Sequence, residues 1–237
     1  MHTSIAGLSV EVSEQVSGAP AAAVILCHGF GAPGDDLVPL AQELVARAPA
    51  LSSTRFYFPE APLDLGFNGA RAWWEIDMAA VQRLGRDPEA LRQFRKVEPP
   101  GMSAARLKLL ALVREVLDGT KLPPSKLVLG GFSQGAMLAT DVALRTEEPC
   151  AGLAILSGTL LLEDAWRAKA AARAGFHVFQ AHGTADPVLP FSAAEGLREL
   201  LRAAGQQVEF FSFPGGHTIS GEELELLAKF LAARVAA

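Results

Sequence analysis

The chain has 237 residues, half of them hydrophobic, with a formal net charge of −5 at pH 7 and a pI near 5.6. That balance leaves no basic footprint for nucleic acid and no polybasic stretch for anionic lipid. The opening MHTSIAGLSVEVSEQ lacks a secretory pattern, no apolar run approaches the roughly 20 residues that cross a bilayer, and Cys27 and Cys150 are too few for a disulfide framework, so a cytoplasmic protein with buried thiols and no stable membrane insertion is expected.

In chain order, Leu8–Val12 alternates apolar and polar residues and predicts an antiparallel edge strand, with His2 at a mobile terminus before it. Ala21–Cys27 is continuously apolar between Gly18-Ala-Pro and Gly29, which predicts a strand covered on both faces. Asp36–Ala48 puts Leu37, Leu40, Ala41 and Leu44 on one helical face. Arg55–Phe58 is a second strand, stopped by Pro59. The segment 59–101 is the least regular and predicts an insertion at one end of the sheet. Ser103–Leu117 predicts a helix capped by Ser103, with Leu107, Leu110, Val113 and Leu117 inward. The runs Lys126–Leu129, Gly152–Leu156, His177–Ala181 and Gln207–Phe213 predict further strands. Helices are predicted at Gln134–Arg145, from near Ala165, at Phe191–Ala203 and at Glu222–Val235. Strands alternating with helices over residues 1–237, with no long linker, imply one α/β domain with a mostly parallel sheet and helices on both faces.

The stretch GGFSQGAML carries the chemistry. Ser133 stands between Gly131 and Gly135, after an apolar strand and before a helix. Gly-x-Ser-x-Gly in that setting predicts a sharp strand-to-helix turn that lifts the hydroxyl off the sheet, with the free N–H groups of the helix start aimed at it. A serine hydroxyl needs a base, and the base needs an orienting carboxylate. Asp186 follows the strand His177–Ala181 in HGTADPVLP, and His217 follows Gln207–Phe213 in PGGHTIS. Three loops at the C-terminal end of one sheet thus offer Ser133, Asp186 and His217. The amide of Gln134 and one from HGFGAPGDD, that of Phe30, are the expected oxyanion donors.

Other polar residues read as structural. His182 is expected to be a hydrogen-bonded histidine, His28 to brace its loop, and His177 to have no special role. Asp164, after the strand Gly152–Leu156, is an alternative orienting acid but better suits the start of a helix. Asp35 and Asp36 suggest a helix start at Asp36 more than a metal pair. No metal-ligand spacing occurs, and neither a metal nor a cofactor is expected. The apolar residues of 59–84 include Leu63, Leu65, Phe67, Trp73, Trp74, Ile76 and Met78. Leu65, Phe67 and Trp74, with Val188, are candidate acyl contacts, although Trp73 and Trp74 also suit core packing.

HGFGAPGDDL, ARAWWEID, GGFSQGAMLA, HGTADPVLP and GGHTIS occur in that order. Together they make the chain resemble the phospholipase/carboxylesterase family of α/β-hydrolases, from about Ala22 to Val235. The resemblance implies an α/β-hydrolase fold without a large cap domain, and hydrolysis of short- to medium-chain acyl esters, thioesters or lysophospholipids without a cofactor. It also implies that Ser133, Asp186 and His217 act as triad, that Phe30 and Gln134 supply the oxyanion hole, and that a homodimer forms. GAPGDD in place of the acyl-protein thioesterases' GDTG favours an esterase of bacterial type. A non-catalytic binder has no need of the three residues together, and a dienelactone-hydrolase-like enzyme would prefer cysteine at position 133.

Overall fold

A computed structural model describes residues 1–13, 18–146 and 150–236. Its sheet strands are β1 (His2–Ile5), β2 (Leu8–Val12), β3 (Ala22–Cys27), β4 (Thr54–Pro59), β7 (Leu127–Phe132), β8 (Gly152–Leu156), β9 (His177–Gly183) and β10 (Gln207–Phe213), in the order β1-β2-β4-β3-β7-β8-β9-β10. From β4 to β10 every neighbouring pair is parallel, and β1–β2 and β2–β4 are antiparallel. β5 (Leu63–Asp64) and β6 (Arg71–Ala72) form a separate two-stranded hairpin. The helices are α1 (Pro39–Arg47), α2 (Met78–Arg83), α3 (Pro88–Lys96), α4 (Met102–Thr120), α5 (Gln134–Arg145), α6 (Glu163–Ala171), α7 (Phe191–Ala203) and α8 (Gly221–Ala236).

The alternation of β3 builds both layers of the core. Ala23, Ile25 and Cys27 face the cluster holding Leu109 of α4, Met137 of α5, Trp166 of α6 and Leu197 of α7. Ala22, Val24 and Leu26 face the cluster holding Leu44 of α1 and Leu227 and Phe230 of α8. Both faces of the strand are dry, which is why its sequence carries no polar alternation. The chain leaves β3 for α1 on one face and β7 for α5 on the other. The loops after these two adjacent strands therefore diverge, and a crevice opens at their C-terminal ends.

Several local expectations shift. β2 is not the edge, because β1 pairs outside it and places His2 in a strand, with Nδ1 2.8 Å from Glu11 Oε1. α1 begins at Pro39 rather than at Asp36, because the chain between Pro33 and Ala41 winds through i→i+3 turns first. α4 begins at Met102 behind Gly101 in the left-handed region (φ 88°), so Ser103 caps nothing. Its buried residues are Met102, Ala105, Leu109, Leu112, Val113 and Val116. Val113 faces inward as expected and Leu110 and Leu117 pack half-buried beside the core, whereas Leu107 is exposed. The segment 59–101 is more ordered than expected, since it holds β5, β6, α2 and α3.

α8 starts with a reciprocal capping box. The Glu223 amide donates to Ser220 Oγ (3.1 Å), and the Ser220 amide donates to Glu223 Oε2 (3.1 Å). The second oxygen, Oε1, is buried without a partner among the described residues. Burial pushes the Glu223 carboxyl up from 4.5 to about 7, against the opposing pull of the Ser220 amide and of His182. The folded protein thus keeps this proton where the unfolded chain has lost it. The stabilisation is complete below pH 4.5 and disappears as pH rises through about 7. Glu223→Gln keeps the cap and removes the titration. Its melting temperature should gain on that of the wild type between pH 5 and pH 8, by the equivalent of about 2–4 kcal/mol. Parallel melting curves for the two proteins across that range would refute this.

Candidate active site

Ser133 sits on the turn between β7 and α5 with φ 54° and ψ −117°, a conformation that a non-glycine residue holds only under constraint. The constraint comes from its flanks. A Cβ on Gly131 would lie 2.6 Å from the Cys27 carbonyl oxygen and from the Gly135 carbonyl carbon, and one on Gly135 would lie 2.1 Å from the Cys27 oxygen. The glycines therefore let β7 and α5 close onto the end of β3. The amide of Ser133 donates to Leu156 O of β8 (2.9 Å), which ties the turn to the next strand.

His217 and Asp186 come from the loops after β10 and β9. Gly183 makes their approach possible, because a Cβ there would stand 2.3 Å from Gly216 O. The Thr184 amide donates to Phe213 O (2.8 Å) and the Ala185 amide to Gly215 O (3.0 Å), which ties the loops together. His217 Nδ1 lies 2.7 Å from Asp186 Oδ2, and Nε2 lies 2.9 Å from Ser133 Oγ. A carboxylate only accepts, so Nδ1 carries the proton and Nε2 presents a lone pair to the hydroxyl. The Phe132 ring packs against the imidazole with centroids 4.8 Å apart.

Asp186 is buried, yet its Oδ1 accepts from the amides of Val188 (2.8 Å) and Leu189 (2.9 Å). His182 Nε2 donates to Leu189 O (2.9 Å) and lies 3.2 Å from Asp186 Oδ2. Burial pushes the Asp186 carboxyl up, but the hydrogen bonds of His182, His217 and the Leu189 amide outweigh it and hold the group well below the usual carboxylate range. His182 is thus hydrogen-bonded as expected, and its partner includes the site itself.

Of the two expected oxyanion donors, Gln134 directly follows Ser133 in sequence, whereas Phe30 comes from a distant loop. Gln134 is the first residue of α5, where an amide has no intrahelical acceptor. Phe30 lies in the loop after β3 and, with Ser133 and His217, borders a cavity of about 200 Å³. Among the described residues neither amide donates to a backbone acceptor. His28 braces this loop as expected: its Nδ1 donates to Gly29 O (2.8 Å), and its Nε2 accepts from the Ala61 amide (3.0 Å). Burial lowers its pKa, in keeping with a ring that must stay neutral to accept at Nε2.

The sequence profile of the phospholipase/carboxylesterase family matches residues 9–235. The chain belongs to the phospholipase/carboxylesterase family. It is a hydrolase with the α/β-hydrolase fold. An acyl-protein thioesterase 1 of Mycosarcoma maydis is 32% identical over 235 residues, covering 90% of each chain. An acyl-protein thioesterase 1 of Neurospora crassa is 30% identical over 223 residues, covering 90% of this chain and 87% of the other. Among solved structures, esterase PE8 is 30% identical with a TM-score of 0.79, covering 95% of this chain and 98% of that one.

In this phospholipase/carboxylesterase chain the cavity wall departs from the residues named as acyl contacts. Val188 lines it, together with Ile76, Met78, Val81, Phe94, Met137 and Leu189. Leu65, Phe67 and Trp74 do not. Phe67 points outward at the tip of the β5–β6 hairpin, 59% exposed, whereas Trp73 and Trp74 are buried in the core. Val81 and Phe94 were not legible as wall residues, because α2 and α3 fold over the crevice from a stretch with little periodicity. The N-caps Asp77 and Asp87, followed by Ala79 and by Pro88 and Glu89, were the available signal. Among the described residues no group of three or more His, Cys, Asp or Glu is placed to hold a metal ion, and no helix is long and apolar enough to cross a membrane.

Proposed function

We propose that this chain is a serine carboxylesterase acting on short- to medium-chain acyl esters. The observation that carries the reading is the unbroken hydrogen-bonded path from Ser133 Oγ through His217 to Asp186, opening onto an apolar cavity. His217 Nε2 takes the hydroxyl proton as Ser133 Oγ bonds to the ester carbonyl carbon. The amides of Phe30 and Gln134 receive the negative charge that develops on the carbonyl oxygen. Asp186 keeps His217 in the right tautomer and steadies the imidazolium. As the tetrahedral adduct collapses, the C–O bond to the leaving alcohol breaks and His217 returns the proton to it. Water, deprotonated by the same nitrogen, then attacks the acyl-Ser133 ester. The acid leaves and the proton returns to the serine.

The cavity bears on chain length. At about 200 Å³ it is smaller than the roughly 300–1,000 Å³ of sites for drug-sized ligands, and Phe94, Met137 and Leu189 close its wall with side chains. A p-nitrophenyl ester series should peak between butanoyl and hexanoyl, and kcat/KM should fall about tenfold or more by dodecanoyl as the chain overpacks the site. A flat or rising profile would count against this cavity as the acyl site. A fluorophosphonate should label the wild type and leave Ser133→Ala unlabelled; a folded, unlabelled wild type overturns the reading.

Thioester hydrolysis is the second reading, favoured by the two fungal relatives named acyl-protein thioesterase 1. An octanoyl thioester run beside the oxygen ester of equal chain length separates the two by their kcat/KM ratio.

A further inference from the structure

The side chain of Gln134 has no place in the mechanism above, which uses only its amide. Yet this side chain is fully buried, and both of its polar atoms are engaged by distant backbone. Its Oε1 accepts from the Trp73 amide (2.9 Å), and its Nε2 donates to Trp74 O (2.8 Å). Residues 71–74 are thereby fastened to the first turn of α5.

The same segment grips the loop after β3 from its other side. The Trp73 indole N–H donates to His28 O (3.0 Å), and its ring packs on the His28 imidazole with centroids 5.7 Å apart. The Gly31 amide donates to Arg71 O (2.8 Å), and the Arg71 amide donates to Ala32 O (3.1 Å). Phe30 lies between these attachments, at His28 on one side and at Gly31 and Ala32 on the other. Arg71 is itself anchored, with Nε donating to Ala61 O (3.1 Å) and ion pairs to Glu60 (3.4 Å) and Asp64 (3.2 Å).

A continuous connection thus runs from Gln134, whose amide is one oxyanion donor, through residues 71–74 to the loop that carries the other. We propose that the Gln134 side chain and the Trp73 indole form one brace that sets the separation of the two oxyanion donors, so that both are positioning residues for the hydrolysis. The inference rests on the serine-esterase reading and extends it. It also accounts for glutamine directly after the serine. A serine elbow needs an amide at that position, which every residue except proline supplies, but this brace needs a side chain with a donor and an acceptor at its end. Preorganised donors act on the transition state and cost nothing to reorganise, so misplacing one reduces rate rather than ground-state binding.

The test uses Trp73→Phe, which removes the indole donor together with part of the buried ring, and Gln134→Met, which keeps length and apolar volume but loses both hydrogen bonds. Each is compared with the wild type in kcat/KM for p-nitrophenyl butanoate and in Ki for a butyl trifluoromethyl ketone, which forms an oxyanion on the serine. The third readout is Ki for the corresponding secondary alcohol, which forms none. The expected result is a fall in kcat/KM of about 10-fold for Trp73→Phe and about 100-fold for Gln134→Met. The ketone Ki should rise by the same factors and the alcohol Ki should stay within about twofold. If Gln134→Met does not fold, Trp73→Phe decides alone. A folded Trp73→Phe protein with a lowered melting temperature but unchanged kcat/KM and ketone Ki overturns the brace, as does an equal loss of ketone and alcohol affinity. A wild type that neither turns over nor takes the fluorophosphonate overturns the esterase reading instead.

Discussion

Ser133→Ala is expected to lower kcat/KM for p-nitrophenyl butanoate by about 10⁴–10⁶-fold, leaving a residual rate over water from the oxyanion donors and the cavity. The magnitude follows from what is removed. Alanine keeps the Cβ, so the strained turn at φ 54° is neither relieved nor worsened, and the flanking glycines still let α5 close onto β3. Only the atom that His217 Nε2 addresses at 2.9 Å is gone. The melting temperature should therefore shift by no more than about 2–4 °C, the equivalent of roughly 1 kcal/mol for a chain of this size. The measurement is steady-state hydrolysis beside thermal unfolding. A variant that keeps more than one part in a hundred of its activity would remove Ser133 from the chemistry.

Gly135→Ala should be the most damaging single substitution to the fold at the site. The added methyl would stand 2.1 Å from Cys27 O, 2.5 Å from Cys27 C and 2.5 Å from His28 O. All three are backbone atoms at the end of β3, in the middle of the sheet, and no rotamer change relieves the overlap. α5 must lift away from the strand, which takes Ser133 and the Gln134 amide with it. A loss of about 4 kcal/mol or more is expected, read as a melting point lower by about 8–16 °C or as insoluble protein. Gly119→Ala is the matched control. It lies near the end of α4 with nothing within 4 Å of the added carbon. There the same change should stabilise by about 0.5–1 kcal/mol through helix propensity. A Gly135→Ala protein as stable as the wild type would mean that α5 is not packed against β3 as described.

The sequence by itself determined what neighbouring residues encode. Continuous apolar runs specified β3, β7 and β8, because a strand covered on both faces has no polar side to show. Glycines at 131 and 135 marked the turn under Ser133, and the positions of Asp186 and His217 after successive strands put both at the same end of the sheet. Those signals are local, and parallel topology carries them into space: each loop at a strand's C-terminal end emerges on one rim. The tertiary structure decided whatever depends on remote segments meeting. α4 is apolar around much of its circumference, and packing against β1 and α5 buried Ala105, Leu109, Leu112, Val113 and Val116 and left Leu107 in solvent. Trp74 and Phe67 are equally apolar in the sequence, yet one is buried in the core and the other projects from a hairpin. Val81 and Phe94 became cavity wall because α2 and α3 fold back over the crevice. The clasp between Gln134 and residues 73 and 74 spans about sixty positions of chain. Hydrophobicity is non-directional, so a pattern tells a residue to leave water without saying which neighbours it will find there.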